Sequence, residues 1–102
     1  MKSFYICNEN EVNQSLSFIK YIEEIKDEII LFYDSDQNLK CFSSVCPHMA
    51  GEIIIKNKAL FCKWHGLAFN NDGKCTNSHL KLLLREYQLN IKEKKVYLEC
   101  DE

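Results

Sequence analysis

Four residues in two short runs have the types and spacing for metal chemistry. Cys46-Pro47-His48 offers a thiol and an imidazole two positions apart. Cys62-Lys63-Trp64-His65-Gly66 offers a second thiol and imidazole three apart, with thirteen residues (49–61) between the runs. An extended chain points residues 46 and 48 to one side and Pro47 to the other. The wider Cys62–His65 spacing, ending at a glycine, suits a tight turn. Side by side, the two loops present two sulfur and two nitrogen ligands. A structural zinc accepts Cys₂His₂ as a tetrahedron, but its usual spacings group Cys with Cys and His with His. A 2Fe–2S cluster with thiolates on one iron and imidazoles on the other needs each loop to reach both irons. Each loop must then contribute one Cys and one His. The mixed pairs answer that geometry directly, with zinc as the alternative.

The elements that must position these loops read as short strands. The chain has 102 residues, 46% hydrophobic and 27% charged, which suits one domain with a real core and no disordered composition. Pro47, Gly51, Gly66 and Gly73 are its only proline and glycines, so turn-forming residues concentrate around the Cys–His runs. The segment "SLSFIKYIEEIKDEIILFYDSD" partly satisfies a helical period. It reads equally as strands Ser17–Glu23 and Glu28–Tyr33 joined by a charged turn at Lys26-Asp27, and its β-branched and aromatic content favours strands. "NLKCFSSV" alternates weakly after a turn. "EIII" and "ALFC" flank Lys56-Asn57-Lys58 as a hairpin. Asp72-Gly73 in "LAFNNDGKC" signals a two-residue turn. "REYQLNI" and "KKVYLEC" form a last strand pair, with Tyr87, Leu89 and Ile91 alternating. Residues 10–16 make a helical turn or a loop. Frequent turns between short strands predict a mostly β domain, a small antiparallel sandwich or barrel.

Composition excludes several classes. A net charge of −2 with scattered lysines, and Arg85 as the single arginine, argues against nucleic acid. The N-terminal run turns polar by Asn8, unlike a signal peptide. The longest apolar run, Ile29–Tyr33, is far too short to span a bilayer. The expectation is a soluble, cytoplasmic protein without membrane attachment. Six cysteines would suggest disulfides in a secreted chain, but in a reducing compartment clustered Cys and His point to metal. Cys7, Cys41, Cys75 and Cys100 lie in or beside apolar strand segments and read as buried hydrophobes. His79 reads as a loop residue, and Glu23, Glu24, Asp27 and Glu28 as a solvated turn.

With these residues in place, the sequence resembles the Rieske-type 2Fe–2S proteins. Their two boxes, Cys-x-His and Cys-x-x-His-Gly, stand here as "CPH" and "CKWHG". "CFSSVCPH" is similar to the strand entering the first loop, and "HGLAFNNDGKC" to the strand and turn after the second. "LREYQLNIKEKKVYLE" is similar to the terminal strand pair. The resemblance is specific from about Lys40 to Cys75. It implies a single domain over 1–102 with the Rieske-like fold and a cluster-binding subdomain of two loops over about 42–72. It also implies a strand pair for "SFIKY…IILFY", and one 2Fe–2S cluster with Cys46 and Cys62 on the inner iron and His48 and His65 on the outer. Three features depart from the family: a short spacing between the boxes, Lys63 where a proline is common, and no proline in "TNSHLK" after Cys75.

The resemblance also bears on redox tuning. Rieske proteins of cytochrome bc complexes carry a loop-bridging disulfide where this chain has Gly51 and Trp64. They carry Ser and Tyr hydroxyls where it has Leu67 and Phe69. Without those hydrogen bonds to the cluster region the reduced state is less stabilised, so the potential is expected near the low end, about −150 mV. Exposed histidine ligands would couple that potential to pH, lowering it in alkali. The class implied is a soluble, low-potential, oxygenase-associated ferredoxin, monomeric in isolation and not itself an enzyme. A flavoprotein reductase would be its donor and an oxygenase or other reductase its acceptor. The alternatives are the small subunit of an assimilatory nitrite reductase, or a structural zinc module. An oxygenase would need a further mononuclear iron held by two His and a carboxylate, for which this chain has only His79 to spare. Met49, Ala50, Lys63, Trp64 and Leu67 are the expected rim for partner docking.

Overall fold

A computed structural model describes residues 2–12, 18–34, 36–45, 52–56, 59–63, 66–78 and 81–100. These hold nine strands: β1 (Lys2–Asn8), β2 (Phe18–Ile22), β3 (Asp27–Tyr33), β4 (Leu39–Ser43), β5 (Ile53–Lys56), β6 (Ala59–Cys62), β7 (Ala68–Phe69), β8 (Gln88–Lys92) and β9 (Lys95–Cys100). They form three antiparallel sheets ordered β1-β9-β8, β2-β3-β4 and β5-β6-β7. A 3₁₀ turn at Glu9–Glu11 is the one helical element among the described residues. None there is long and apolar enough to cross a membrane.

β3 runs between two cores, and its burial on both faces explains its sequence. Ile29 and Leu31 of β3 enter a core with Ile6, Cys7, Val96 and Leu98. Ile30 and Phe32 enter a second core with Phe42, Leu60, Cys62 and Phe69. A strand covered on both faces carries apolar residues at every position, so its alternation disappears. That is why "EIILFY" supported a helix as well as a strand. The register, from Phe18↔Leu31 to Ile22↔Asp27, settles it as a hairpin. Its turn lies at Glu23–Lys26 and ends one residue before the expected Asp27, which begins β3, with Lys26 at φ 51°.

The third sheet closes the second core. β5 and β6 pair from Ile53↔Cys62 to Lys56↔Ala59, the expected hairpin, and β7 adds Leu60↔Phe69. The Asp72-Gly73 turn is wider than two residues. Asn70 N–H donates to Lys74 O at 2.9 Å, and Asn70 Oδ1 accepts from the N–H groups of Asp72 and Lys74. The segment before β8 then runs along β4, with Tyr87 N–H to Cys41 O at 2.9 Å and Ser43 N–H to Arg85 O at 2.8 Å. Tyr87 sinks into the first core while Ile91 emerges into solvent, so the alternation predicted for this strand buries only its start.

Cys7 and Cys41 are buried in the first core, as expected, and Cys75 and Cys100 are half-buried beside the cores. Among the described residues no three His, Cys, Asp or Glu side chains gather into a metal site. Burial pushes the Cys41 thiol above its ordinary 9.0, with Asp27, Glu86 and Cys7 acting in the same direction. Burial, then the bond to Asp27, pushes the Tyr87 hydroxyl above 10.0, against an opposing effect of Arg85. Both groups are favoured neutral in the folded state. Their stabilisation is complete below the unfolded values and is lost as pH rises through the interval between unfolded and folded pKa. Stability should therefore fall above about pH 9, by about 1.4 kcal/mol per pH unit for Cys41. Tyr87 lines an open groove, so solvent screening leaves it a smaller share. Denaturant midpoints measured from pH 8 to 11 check this. Cys41→Val should flatten the profile relative to wild type.

Candidate metal centre

The described residues around the two Cys–His runs bring their roots together. Val45 and Glu52 form an antiparallel bridge, and Ile53 N–H donates to Ser44 O at 2.9 Å, closing the segment 46–51. On the second run Cys62 N–H donates to Leu67 O at 2.7 Å and Gly66 N–H to Cys62 O at 3.0 Å, closing 63–66. Glu52 joins the two: its carbonyl accepts Lys63 N–H at 2.9 Å, beside the Ile53–Cys62 pair of the ladder. Both runs therefore spring from one end of the third sheet, a hydrogen bond apart. Gly66 supplies the turn with φ +67°, a conformation that other residues adopt at a cost.

Of the residues singled out from sequence, Cys62, Lys63 and Leu67 are described. Cys62 is 0% exposed, packed in the second core. Lys63 is exposed, its Nζ 3.7 Å from Glu52 Oε2. Leu67 is half-buried against the second core, and Phe69 is fully within it. Cys46, His48, Met49, Ala50, Gly51, Trp64, His65 and His79 lie outside the described residues.

A polar network that the sequence did not announce supports the first run. Asp27 Oδ2 accepts the Tyr87 hydroxyl at 2.6 Å, and Oδ1 accepts the Ser43 hydroxyl at 3.2 Å. Ser43 Oγ in turn accepts Val45 N–H at 3.3 Å, one residue before Cys46. The Ser44 hydroxyl donates to Glu28 Oε1 at 2.6 Å. The acidic run is thus not one solvated turn. Glu23 and Glu24 occupy the turn, whereas Asp27 and Glu28 begin β3 and hold the serines that lead into the loop. Asp27→Ala should cost about 2–3 kcal/mol, because it strands two hydroxyls bonded to a charged acceptor; urea unfolding measures it.

The second run is held from a third segment. Asn77 Oδ1 accepts Ala68 N–H at 2.9 Å and its Nδ2 donates to Gly66 O at 2.8 Å. Thr76 N–H donates to Ala68 O at 2.8 Å. Nothing in the spacing of Asn77 from the boxes marks it.

The donor set suits an iron–sulfur cluster. Thiolates and imidazoles are the ligands such a cluster takes, one of each comes from either run, and the runs are rooted side by side. Cys62 is fully buried, so its sulfur is shielded from solvent.

Comparison with known proteins agrees with this chemistry. A family model described as "Rieske [2Fe-2S] domain" matches residues 2–88. Cholesterol 7-desaturase nvd 1 of Ciona intestinalis is 31% identical over 61 residues, 56% of this chain and 13% of that protein. Protein TIC 55, chloroplastic, of Arabidopsis thaliana is 31% identical over 51 residues, 47% of this chain and 10% of that protein. The chain thus spans about a tenth of the length of these curated relatives. In structure it resembles a quaternary ammonium Rieske monooxygenase in complex with L-carnitine, with TM-score 0.81 and 18% identity over 99% of this chain and 32% of that one. It also resembles the ferredoxin of carbazole 1,9a-dioxygenase from Nocardioides aromaticivorans IC177, with TM-score 0.78 and 14% identity over 96% and 97% of the two chains. The fold, the paired Cys–His runs and the family match over most of its length together make this chain a member of the Rieske [2Fe-2S] domain family, an iron–sulfur electron-carrier domain with one Rieske-type 2Fe–2S cluster.

Proposed function

We propose that Cys46 and Cys62 hold one iron and His48 and His65 the other, within a single domain whose cluster-binding part spans about 42–72. We further propose that it carries single electrons from a flavoprotein reductase to a terminal oxygenase or other redox enzyme, in a cytoplasmic setting. The observation that carries the ligand assignment is the shared root of the two runs at Glu52. The end-to-end likeness to an oxygenase-system ferredoxin supports the carrier reading. Outer-sphere transfer of one electron is the chemistry the cluster supplies. The protein's part is to hold it in a fixed place and to keep solvent from the Cys62 end through the second core. Met49, Ala50, Lys63, Trp64 and Leu67 form the proposed docking rim, with Lys63 and Leu67 beside the loop roots.

Phe69 is buried and Leu67 half-buried, and neither side chain donates a hydrogen bond to a sulfur. The potential should therefore fall toward the low end of the Rieske range, about −150 mV. Iron and acid-labile sulfide analysis, EPR of the reduced protein and potentiometry test these points. Two irons with sulfide and a rhombic signal of low average g support the assignment. One zinc per chain, or a potential near the positive end of the range, overturns it or its tuning.

A second reading is that this domain serves within a larger oxygenase, as its coverage of about a third of the monooxygenase structure suggests. Iron content of the full-length gene product separates the two: a third iron per chain favours the oxygenase.

A further inference from the structure

Asn77 lies outside both Cys–His runs, yet its side-chain amide is spent on the second. One oxygen and one nitrogen bracket Leu67: Oδ1 accepts from Ala68 N–H and Nδ2 donates to Gly66 O, at 2.9 and 2.8 Å. Leu67 O and Gly66 N–H are themselves bonded to the backbone of Cys62. The bonds interlock, Cys62 held by residues 66 and 67, and residues 66 and 68 held by Asn77. Among the described residues packing does not replace them at Gly66, since a Cβ placed there would meet none of their atoms within 4 Å. Asn77 is anchored in turn by its neighbours. Thr76 bonds Ala68 O through both N–H and hydroxyl, Cys75 Sγ lies 3.7 Å from Asn77 Oδ1, and Cys75 bridges Phe69. A side-chain amide presents a donor and an acceptor in one plane; a carboxylate only accepts, and an alkyl group does neither.

We infer that Asn77 is a positioning residue for the cluster: by clamping both sides of Leu67 it sets the place of Gly66 and Leu67 and, through their backbone bonds, of the proposed ligand Cys62. Asn77 is then a third arm of the site, acting by its side-chain amide. This inference rests on the ligand assignment proposed above. Groups that orient metal ligands, without touching the metal, govern affinity and electronic structure alike.

The test compares wild type, Asn77→Ala, Asn77→Asp and Thr76→Val, all reconstituted in the full chain. Iron and sulfide content of wild type tests the ligand assignment independently of Asn77. The clamp is read from the rate of iron loss to a chelator and from the EPR g-values of the reduced protein. Asn77→Ala should lose iron about 10-fold faster or more, as lost outer-shell partners cost about 10–100-fold in metal affinity, and should shift the g-values. Asn77→Asp keeps the acceptor for Ala68 and should lie between. Thr76→Val keeps the backbone bond and should match wild type. An unshifted spectrum with wild-type iron loss in Asn77→Ala overturns the inference. So does equal acceleration in Thr76→Val, which would indicate general loosening of the hairpin. If Asn77→Ala does not fold, Asn77→Asp decides, and its behaving as wild type overturns the clamp. A wild-type chain that takes up no iron removes the ligand assignment, and the clamp with it.

Discussion

Cys62→Ala is expected to fold into the same three sheets and to bind no 2Fe–2S cluster. Its thiol would be one of two sulfur ligands, and an alanine methyl cannot coordinate iron. The fold should survive because the turn at Cys62 is made by its backbone. Its N–H bonds Leu67 O, its carbonyl accepts Gly66 N–H, and its ladder partner is Ile53. None of these needs the side chain. The sulfur leaves a small void in the second core, whose other members include Ile53, Leu60 and Phe69. Far-UV circular dichroism should therefore stay strand-like while visible absorbance, iron and sulfide disappear. The melting temperature should drop as well, because cluster binding free energy adds to folding free energy. A variant that retained the full cluster spectrum would remove Cys62 from the ligand set.

Gly73→Ala should be among the most destabilising single-methyl additions in the chain, at about 3 kcal/mol. Two costs combine. Gly73 has φ +81°, where an L side chain costs about 1–2 kcal/mol. An added Cβ would also sit 2.7 Å from Leu84 O and 2.9 Å from Phe42 Cε1. Neither neighbour can retreat freely. Leu84 is tied to the same residue by its N–H to Gly73 O at 2.7 Å, and Phe42 is buried and stacked on Phe32 with centroids 6.1 Å apart. Such overpacking costs about 1–3 kcal/mol. Gly66→Ala makes the comparison: φ is +67°, but among the described residues nothing lies within 4 Å of an added Cβ, so the backbone cost of about 1 kcal/mol is expected. Denaturant midpoints of the two variants measure the difference. Equal losses would show that the contacts at Gly73 relax.

What was legible in the sequence was local. The Cys–His runs declare their chemistry within a few residues each, and Asn57 with its flanking lysines, Asp72-Gly73 and the alternating tail declare turns and strands by neighbouring composition. The helix–strand ambiguity of "EIILFY" had the opposite cause. Its burial comes from two cores contributed by distant strands, so the period that would identify a strand is absent from the strand itself. Asp27 and Glu28 looked like further members of a charged turn because their partners, Ser43, Ser44 and Tyr87, lie 16 to 60 positions away. Asn77 carried no signal for the same reason, its two bonds reaching back nine and eleven residues.

By itself the sequence determined that each run carries one thiol and one imidazole, a mixed order that answers a 2Fe–2S cluster with zinc as the alternative, because coordination chemistry depends on which donors each run carries. It also determined a mostly β chain with its turns near the site. Only the tertiary structure decided that the two runs share a root at Glu52, that Cys62 is sealed in a core, that Asp27 holds Ser43 before the first run, and that Asn77 holds Gly66 and Ala68 at the end of the second. Those are pairings across the chain, formed when sheets pack and buried polar groups must find partners, and no local pattern encodes them.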